Sequence, residues 1–404
     1  MAEVLAPVSS ATQPPAVPGQ DKKYVYFHSG SEATYREVSD TPSQSFTSIP
    51  TVDLADLDSS SPEARQRIAR EISNACRNCG FFYIKNHGIP EDVVRQAFAL
   101  LRRFFALDHE AKMEAHAQKN PAIRGYEPML ETNLDPRTKG DIKEAFTMGD
   151  CYLEPEQDYT GKTGESGPPP NVTQPQNIWP PQAPWWREGL YDYYAHVLPL
   201  SLKLVRVFAL GFGLDEAAFD PMFRFPITGM RPLHYPPTPA ASSMEGNENV
   251  GLGAHSDFSW LTLVLQDDVP ALEVLNQDGH WVDAPPAPGT FVCNVGQYLE
   301  RQSNGRYPAT VHWVRNKTGR ERYSLPFFLT PGPEVDLEVL PCCYDNDDDD
   351  DGADQGSSKK KKYDTINVGD LYIRRVLPAR TKHPTSIKYR DVPQEEWSYD
   401  MLLS

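Results

Sequence analysis

Positive charge is scarce in this 404-residue chain. Lys and Arg number 39 against 56 Asp and Glu, a formal net charge of −17 at pH 7. Such a surface repels phosphate, which argues against a nucleic-acid partner. Cysteine is also sparse: the six present include an adjacent pair, Cys342-Cys343, and follow no disulfide spacing. Cys76-x-x-Cys79 lacks the second pair that a zinc site needs and sits beside an apolar helical face, so it reads as core. No run reaches the roughly 18 consecutive apolar residues of a spanning helix, and no membrane partner is expected. Residues 1–20 are rich in Ala, Pro and Ser, with no basic region leading into an apolar stretch. Leu402-Leu-Ser404 is no peroxisomal address. These absences lead to an expectation of a cytoplasmic protein in a reducing compartment.

The remaining pattern divides the chain. Residues 1–47 are expected to be a flexible N-terminal segment, followed by a helical and strand region over 48–160. A helix is predicted over 62–78, with Ser61 as N-cap and Ile68, Ile72, Ala75 and Cys76 on one stripe. A second is predicted over 91–107, carrying Val94, Phe98, Leu101 and Phe105 at helical spacing. Residues 161–184, dense in Pro, Gly, Thr and Gln, read as a long surface loop of the kind that covers a site mouth. A long helix is predicted over 184–211. From Thr228 onward the pattern changes to short apolar runs broken by Pro and Gly, over 261–265, 271–275, 290–295 and 323–329. Many short strands with frequent turns imply a double-sheet jelly roll, so residues 185–404 are expected to form a jelly-roll region flanked by helices. Within it, the acidic and lysine-rich stretch 345–362 cannot bury itself and is expected to be a disordered insertion.

The chemistry lies in His255-Ser-Asp257, His312 and Arg322-Tyr-Ser324. Of ten histidines, only His255 has an Asp two residues on. On an extended segment those two side chains project from one face and can grip the same ion. His312 lies in Ala309-Thr-Val-His-Trp-Val314, a β-prone run able to pair beside the first segment. Two imidazoles and one carboxylate hold a ferrous ion on one side and leave the other open, the ligand set of non-haem iron oxygenases. Arg322 and Ser324 repeat the two-residue spacing on a following strand, and a guanidinium beside a hydroxyl suits a carboxylate. Arg301-Gln-Ser303 has the same spacing but precedes Asn304-Gly305, a turn signal.

These residues resemble those of the iron(II)- and 2-oxoglutarate-dependent dioxygenases of the isopenicillin N synthase-like family, over roughly residues 48 to 335. Ala75-Cys-Arg-Asn-Cys-Gly-Phe-Phe-Tyr-Ile-Lys-Asn-His-Gly-Ile89 resembles the N-terminal signature of that family. Leu233-His-Tyr-Pro236 resembles the strand whose tyrosine contacts 2-oxoglutarate. Gly279-His-Trp-Val-Asp283, Asn294-Val-Gly296 and Ser303-Asn-Gly305 match further landmarks in order. The chain departs from many relatives at Trp313, Gln297 and Leu233, where they carry Arg, Asp and, in some plants, Asn.

The resemblance implies a double-stranded β-helix, with iron(II) on His255, Asp257 and His312. It implies 2-oxoglutarate on Arg322, Ser324 and Tyr235, and O2 as the oxidant. The activity it implies is oxidation of a small organic molecule by hydroxylation, desaturation or ring closure, within specialised metabolism. Phe258, Tyr126 and Phe146 are candidate substrate contacts, each equally readable as core. No cluster of charges in the sequence points to a highly charged substrate. Two other readings remain: an iron oxidase that uses the triad without 2-oxoglutarate, and a non-catalytic binding protein on this scaffold. Oligomeric state is left open.

Overall fold

The computed structural model describes residues 23–29, 32–39, 41, 44–135, 137–149, 175–237, 250–344 and 360–403. The first helix, α1 (Pro62–Asn78), begins where the sequence predicts. Ser61 accepts a hydrogen bond from the Ala64 amide, and Pro62 occupies the first turn, where a missing N–H costs nothing. Helix α2 (Glu91–Phe105) and the long α3 (Pro184–Gly211) follow. On composition α3 is long and apolar enough to cross a membrane. Its apolar side is instead buried, with Trp186, Leu190, Val197, Leu204 and Phe208 almost inaccessible. Phe104 stacks on Trp186 at 4.0 Å between centroids.

The helices pack on one face of a nine-stranded sheet. Its strands include β3 (Thr51–Asp53), β4 (Phe81–Lys85), β5 (Gly125–Glu127), β6 (Glu144–Gly149), β7 (Ile227–Met230), β8 (Leu233–Tyr235), β10 (Leu261–Gln266), β13 (Thr290–Val295) and β15 (Arg322–Thr330). A six-stranded sheet opposes it, in the order β12-β11-β14-β9-β1-β2. These strands are β1 (Lys23–Ser29), β2 (Glu32–Val38), β9 (Leu252–His255), β11 (Leu272–Leu275), β12 (Trp281–Asp283) and β14 (His312–Val314). Side chains alternate across each strand, so each sheet has two environments. Phe81, Tyr83, Leu233, Leu272, Val274 and Val292 fill the space between the sheets. Tyr126, Phe146, Trp186, Leu263 and Phe327 belong to the larger core on the helix side. This is the predicted double-stranded β-helix flanked by helices.

The expected flexible segment over 1–47 is corrected in part. Residues 23–38 contribute an antiparallel hairpin, and β1 adds to β9 in parallel, with His28 opposite His255. Val25 and Phe27 bury themselves on Ala254, Leu275 and Trp313. The aromatic and β-branched run Tyr24-Val-Tyr-Phe27 carries this strand, and the Pro-rich residues before it mask the signal. Within the expected 161–184 loop, residues up to 174 lie outside the described set. At its described end, Trp179 stacks on Phe146, on the helix side of the sheet. The expected insertion over 345–362 lies outside the described residues up to 359. A further helix, α4 (Val368–Val376), packs after it.

Candidate active site

Strand register brings the two histidines together. β14 runs antiparallel to β9 with His312 directly opposite His255, and a bulge follows before Val314 pairs with Leu252. The ring centroids lie 4.4 Å apart. Each imidazole is oriented from behind: His255 Nδ1 donates to the Gly253 carbonyl at 2.8 Å, and His312 Nδ1 donates to that of Thr310 at 3.1 Å. Both Nε2 lone pairs then face forward, the tautomer that binds metal. Asp257 completes the group, with Oδ1 at 3.5 Å from His255 Nε2 and 3.7 Å from His312 Nε2. One donor atom from each residue lies within 4.8 Å of the others. Among the described residues, no other group of three such side chains converges this way.

The second oxygen of Asp257 is also fixed. Thr262 Oγ1 donates to Oδ2 at 2.6 Å and Asn294 Nδ2 at 2.7 Å. Those two donors sit opposite one another on β10 and β13. Burial pushes the Asp257 carboxyl up, but its contacts with His255, His312 and Asn294 outweigh that and hold it well below the ordinary range. Burial and the neighbouring His255 lower His312 to about 4, so it is neutral at physiological pH. A donor set of two imidazoles and one ionised carboxylate fits a divalent iron.

Arg322 and Ser324 lie further along the inner face. Arg322 is opposite Tyr235 across β15 and β8, and Ser324 is opposite Leu233. The guanidinium sits 4.9 Å from the Tyr235 ring centroid. It hydrogen-bonds Ser324 Oγ at 3.3 Å and Gln266 Oε1 at 3.2 Å, while its Nε is buried without a partner. Asp267, which Arg322 stabilises, gives its two oxygens to the Val269 and Tyr323 amides. No carboxylate among the described residues therefore forms an ion pair with Arg322. A buried guanidinium left in that state calls for an anion, and a dicarboxylate supplies one.

The three candidate substrate contacts separate. Phe258 directly follows Asp257, is partly exposed, and meets Tyr372 of α4 edge-on at 5.8 Å. Tyr126 and Phe146 are corrected to the helix-side core. Leu233 pairs with both Ser324 and Ala145, which places Ala145 on the inner face. Phe146 is one step along β6 and its partner Tyr126 points the same way, outward, so the Tyr126 hydroxyl meets Glu144 and the Phe146 ring meets Phe104 and Trp186.

The sequence reading also missed the charges. Glu127, Lys143, Arg231 and Asp141 are all buried or nearly so, and Asp141 touches β9. Glu127 accepts from Arg231 Nη2 at 2.9 Å, and Lys143 Nζ donates to Thr132 Oγ1 at 3.0 Å. Asp141 Oδ1 accepts from the Gly253 amide at 3.0 Å. Arg231 and its partner Glu127 are remote in sequence, so only the fold reveals the cluster.

Comparison with known proteins follows the same outline. Residues 49–182 match the model for the non-haem dioxygenase in morphine synthesis N-terminal family, and residues 226–331 that for the 2OG-Fe(II) oxygenase superfamily. A 2-oxoglutarate-Fe(II) type oxidoreductase of Emericella nidulans is 35% identical over 301 residues, 74% of this chain and 83% of that one. A homoarginine-6-hydroxylase of Arabidopsis thaliana is 35% identical over 309 residues, 74% of this chain and 89% of that one. A full-length Neurospora crassa protein crystallised with alpha-KG superposes with a TM-score of 0.67 at 26% identity, covering 81% of this chain and 95% of that chain. The same protein has also been crystallised with alpha-KG and thymine.

Proposed function

The chain belongs to the iron(II)- and 2-oxoglutarate-dependent dioxygenases, and from that premise we propose that it oxidises an unactivated C–H bond of a small specialised metabolite, by hydroxylation, desaturation or ring closure. Iron(II), 2-oxoglutarate and O2 are the cofactor and cosubstrates of this enzyme class, and when bound they supply the oxidising power as 2-oxoglutarate is converted to succinate and carbon dioxide. The observation that carries the site assignment is the convergence of His255 Nε2, His312 Nε2 and Asp257 Oδ1 on one point. In this reading those three atoms hold the iron. Arg322 and Ser324 bind the far carboxylate of 2-oxoglutarate, with Tyr235 closing the side of that pocket.

The protein's own tasks are orientation and exclusion of water. Thr262 and Asn294 keep Asp257 turned toward the histidines, and the Gly253 and Thr310 carbonyls hold both imidazoles in one tautomer. The aliphatic walls at Leu233, Leu252 and Val314 keep the inner face dry. Phe258, beside the triad and partly exposed, contacts the substrate. Cys76, Cys79 and Cys293 are buried free thiols, which supports a cytosolic setting. The test is succinate release during turnover with candidate metabolites. Release coupled to substrate oxidation supports the proposal, and substrate oxidation without succinate would sink it.

A further inference from the structure

We infer that the substrate chamber is built for a zwitterionic amino acid, its carboxylate received by Lys143 and Arg231 and its ammonium by the free Oδ2 of Asp141. The inference rests on the oxygenase reading above and names the substrate class of that same site.

Its basis is a set of buried charges whose hydrogen bonding is incomplete. Asp141 is 3% exposed, and while Oδ1 accepts from the Gly253 amide, Oδ2 is buried with no partner among the described residues. Arg231 gives Nη2 to Glu127 and Thr132, leaving Nε buried and unpartnered. Lys143 is 1% exposed, and its ammonium, with three protons to give, is hydrogen-bonded to Thr132 Oγ1. An unsatisfied buried polar atom loses its water without replacement, so leaving several in one place is costly unless a ligand completes them.

Position ties the cluster to the reaction. Asp141 hydrogen-bonds to Gly253, two residues before His255 on β9. A Cβ at Gly253 would come within 2.9 Å of Leu134 Cβ, so glycine lets the segment that leads to Asp141 pack closely on this strand. On the other side, Arg231 is electrostatically coupled to Tyr235, in the pocket assigned to 2-oxoglutarate. The cluster thus adjoins, at one end, the strand that carries His255 and, at the other, Tyr235.

Charge selects the ligand. Glu127 is already engaged by Arg231, Arg380, Thr132 and Thr147. With Lys143 protonated, three cations, Lys143, Arg231 and Arg380, face one saturated and one unsatisfied carboxylate. The surplus is cationic and asks for a compact anion, while Asp141 Oδ2 asks for a donor. Burial raises the Asp141 carboxyl and lowers Lys143 to about 7, the cost a zwitterion would offset by solvating both ends at once. An apolar substrate would leave both groups unanswered, and a purely anionic one would leave Asp141 Oδ2 without a donor.

The test is calorimetric binding to the full chain loaded with Mn(II) and 2-oxoglutarate under anaerobic conditions. Free amino acids are screened, including homoarginine and ornithine. For each that binds, its N-acetyl derivative and its decarboxylated amine are also measured. At least one free amino acid is expected to bind, with both truncated analogues weaker by about tenfold or more. In D141N the parent loses affinity while the N-acetyl analogue does not, and in K143M the parent loses affinity while the amine does not, a split that a merely structural role would not produce. If a variant fails to fold, the analogue series on the unaltered protein decides alone. The inference is overturned if 2-oxoglutarate binds and no amino acid does, or if the N-acetyl and amine forms bind as well as the parent. Failure of 2-oxoglutarate itself to bind would instead overturn the oxygenase reading.

Discussion

Asn294 donates to Asp257 Oδ2 at 2.7 Å, and that bond, with Thr262 beside it, turns Oδ1 toward His255 and His312. Asn294→Leu removes one of the two donors that hold the carboxylate and leaves Thr262 to orient it alone. Losses of about 10–100-fold in metal affinity are typical for such outer partners. A Co(II) or Fe(II) titration is expected to show a loss of that size with an unchanged circular dichroism spectrum. Equal affinity in both proteins would mean that Asn294 does not orient the acid.

Arg322→Ala removes the anion partner proposed for 2-oxoglutarate. Truncating one side of a buried charged hydrogen bond costs about 2 kcal/mol or more, which corresponds to at least about a thirtyfold rise in KM for 2-oxoglutarate. Arg322→Lys keeps the charge but loses the fork, and an intermediate value is expected. Steady-state kinetics with varied 2-oxoglutarate measures both, and an unchanged KM in the Ala variant would assign the anchor elsewhere.

Phe146 and Phe258 are expected to fail in opposite ways. Phe146→Ala opens a cavity among Phe104, Trp179 and Trp186 and should cost about 3–5 kcal/mol in urea unfolding, with the 2-oxoglutarate KM unchanged. Phe258→Ala, partly exposed beside Asp257, should cost much less stability and act on substrate KM. The reverse pattern would return Phe146 to the substrate pocket.

Lys143 gives stability a pH dependence. Burial first, and Arg231 second, lower its ammonium from 10.5 to about 7, with Glu127 and Asp141 opposing. Above pH 7 the folded chain has released a proton that the unfolded chain holds until about 10.5. Stability from this group therefore rises with pH across that window, by at most about 1.4 kcal/mol per pH unit, and the full cost is present below pH 7. Urea unfolding at pH 7 and pH 9 should show a smaller pH slope for Lys143→Met than for the unaltered chain. Identical slopes would show that Lys143 titrates normally.

Much of this was legible in one dimension. The His255-x-Asp257 spacing survives folding because two residues on an extended segment necessarily share a face, and Arg322 with Ser324 obey the same rule. The start of helix α1 was legible through Ser61 and Pro62. The outward direction of Tyr126 and Phe146 was not, because it depends on the pairing of Leu233 with Ala145, and a one-residue shift would reverse it. The hairpin of β1 and β2 was hidden by the Pro- and Ser-rich residues before it. Glu127, Lys143 and Arg231 look like ordinary surface charges in sequence, and only the register of β5 to β8 folds them inward.

The most direct test of the site is an anaerobic titration of the full chain with Fe(II) and 2-oxoglutarate, followed by visible absorption. The account predicts a weak charge-transfer band that saturates with 2-oxoglutarate and is lost in both His255→Ala and His312→Ala. No band in the unaltered chain, or an undiminished band in either variant, would contradict the placement of iron on these residues.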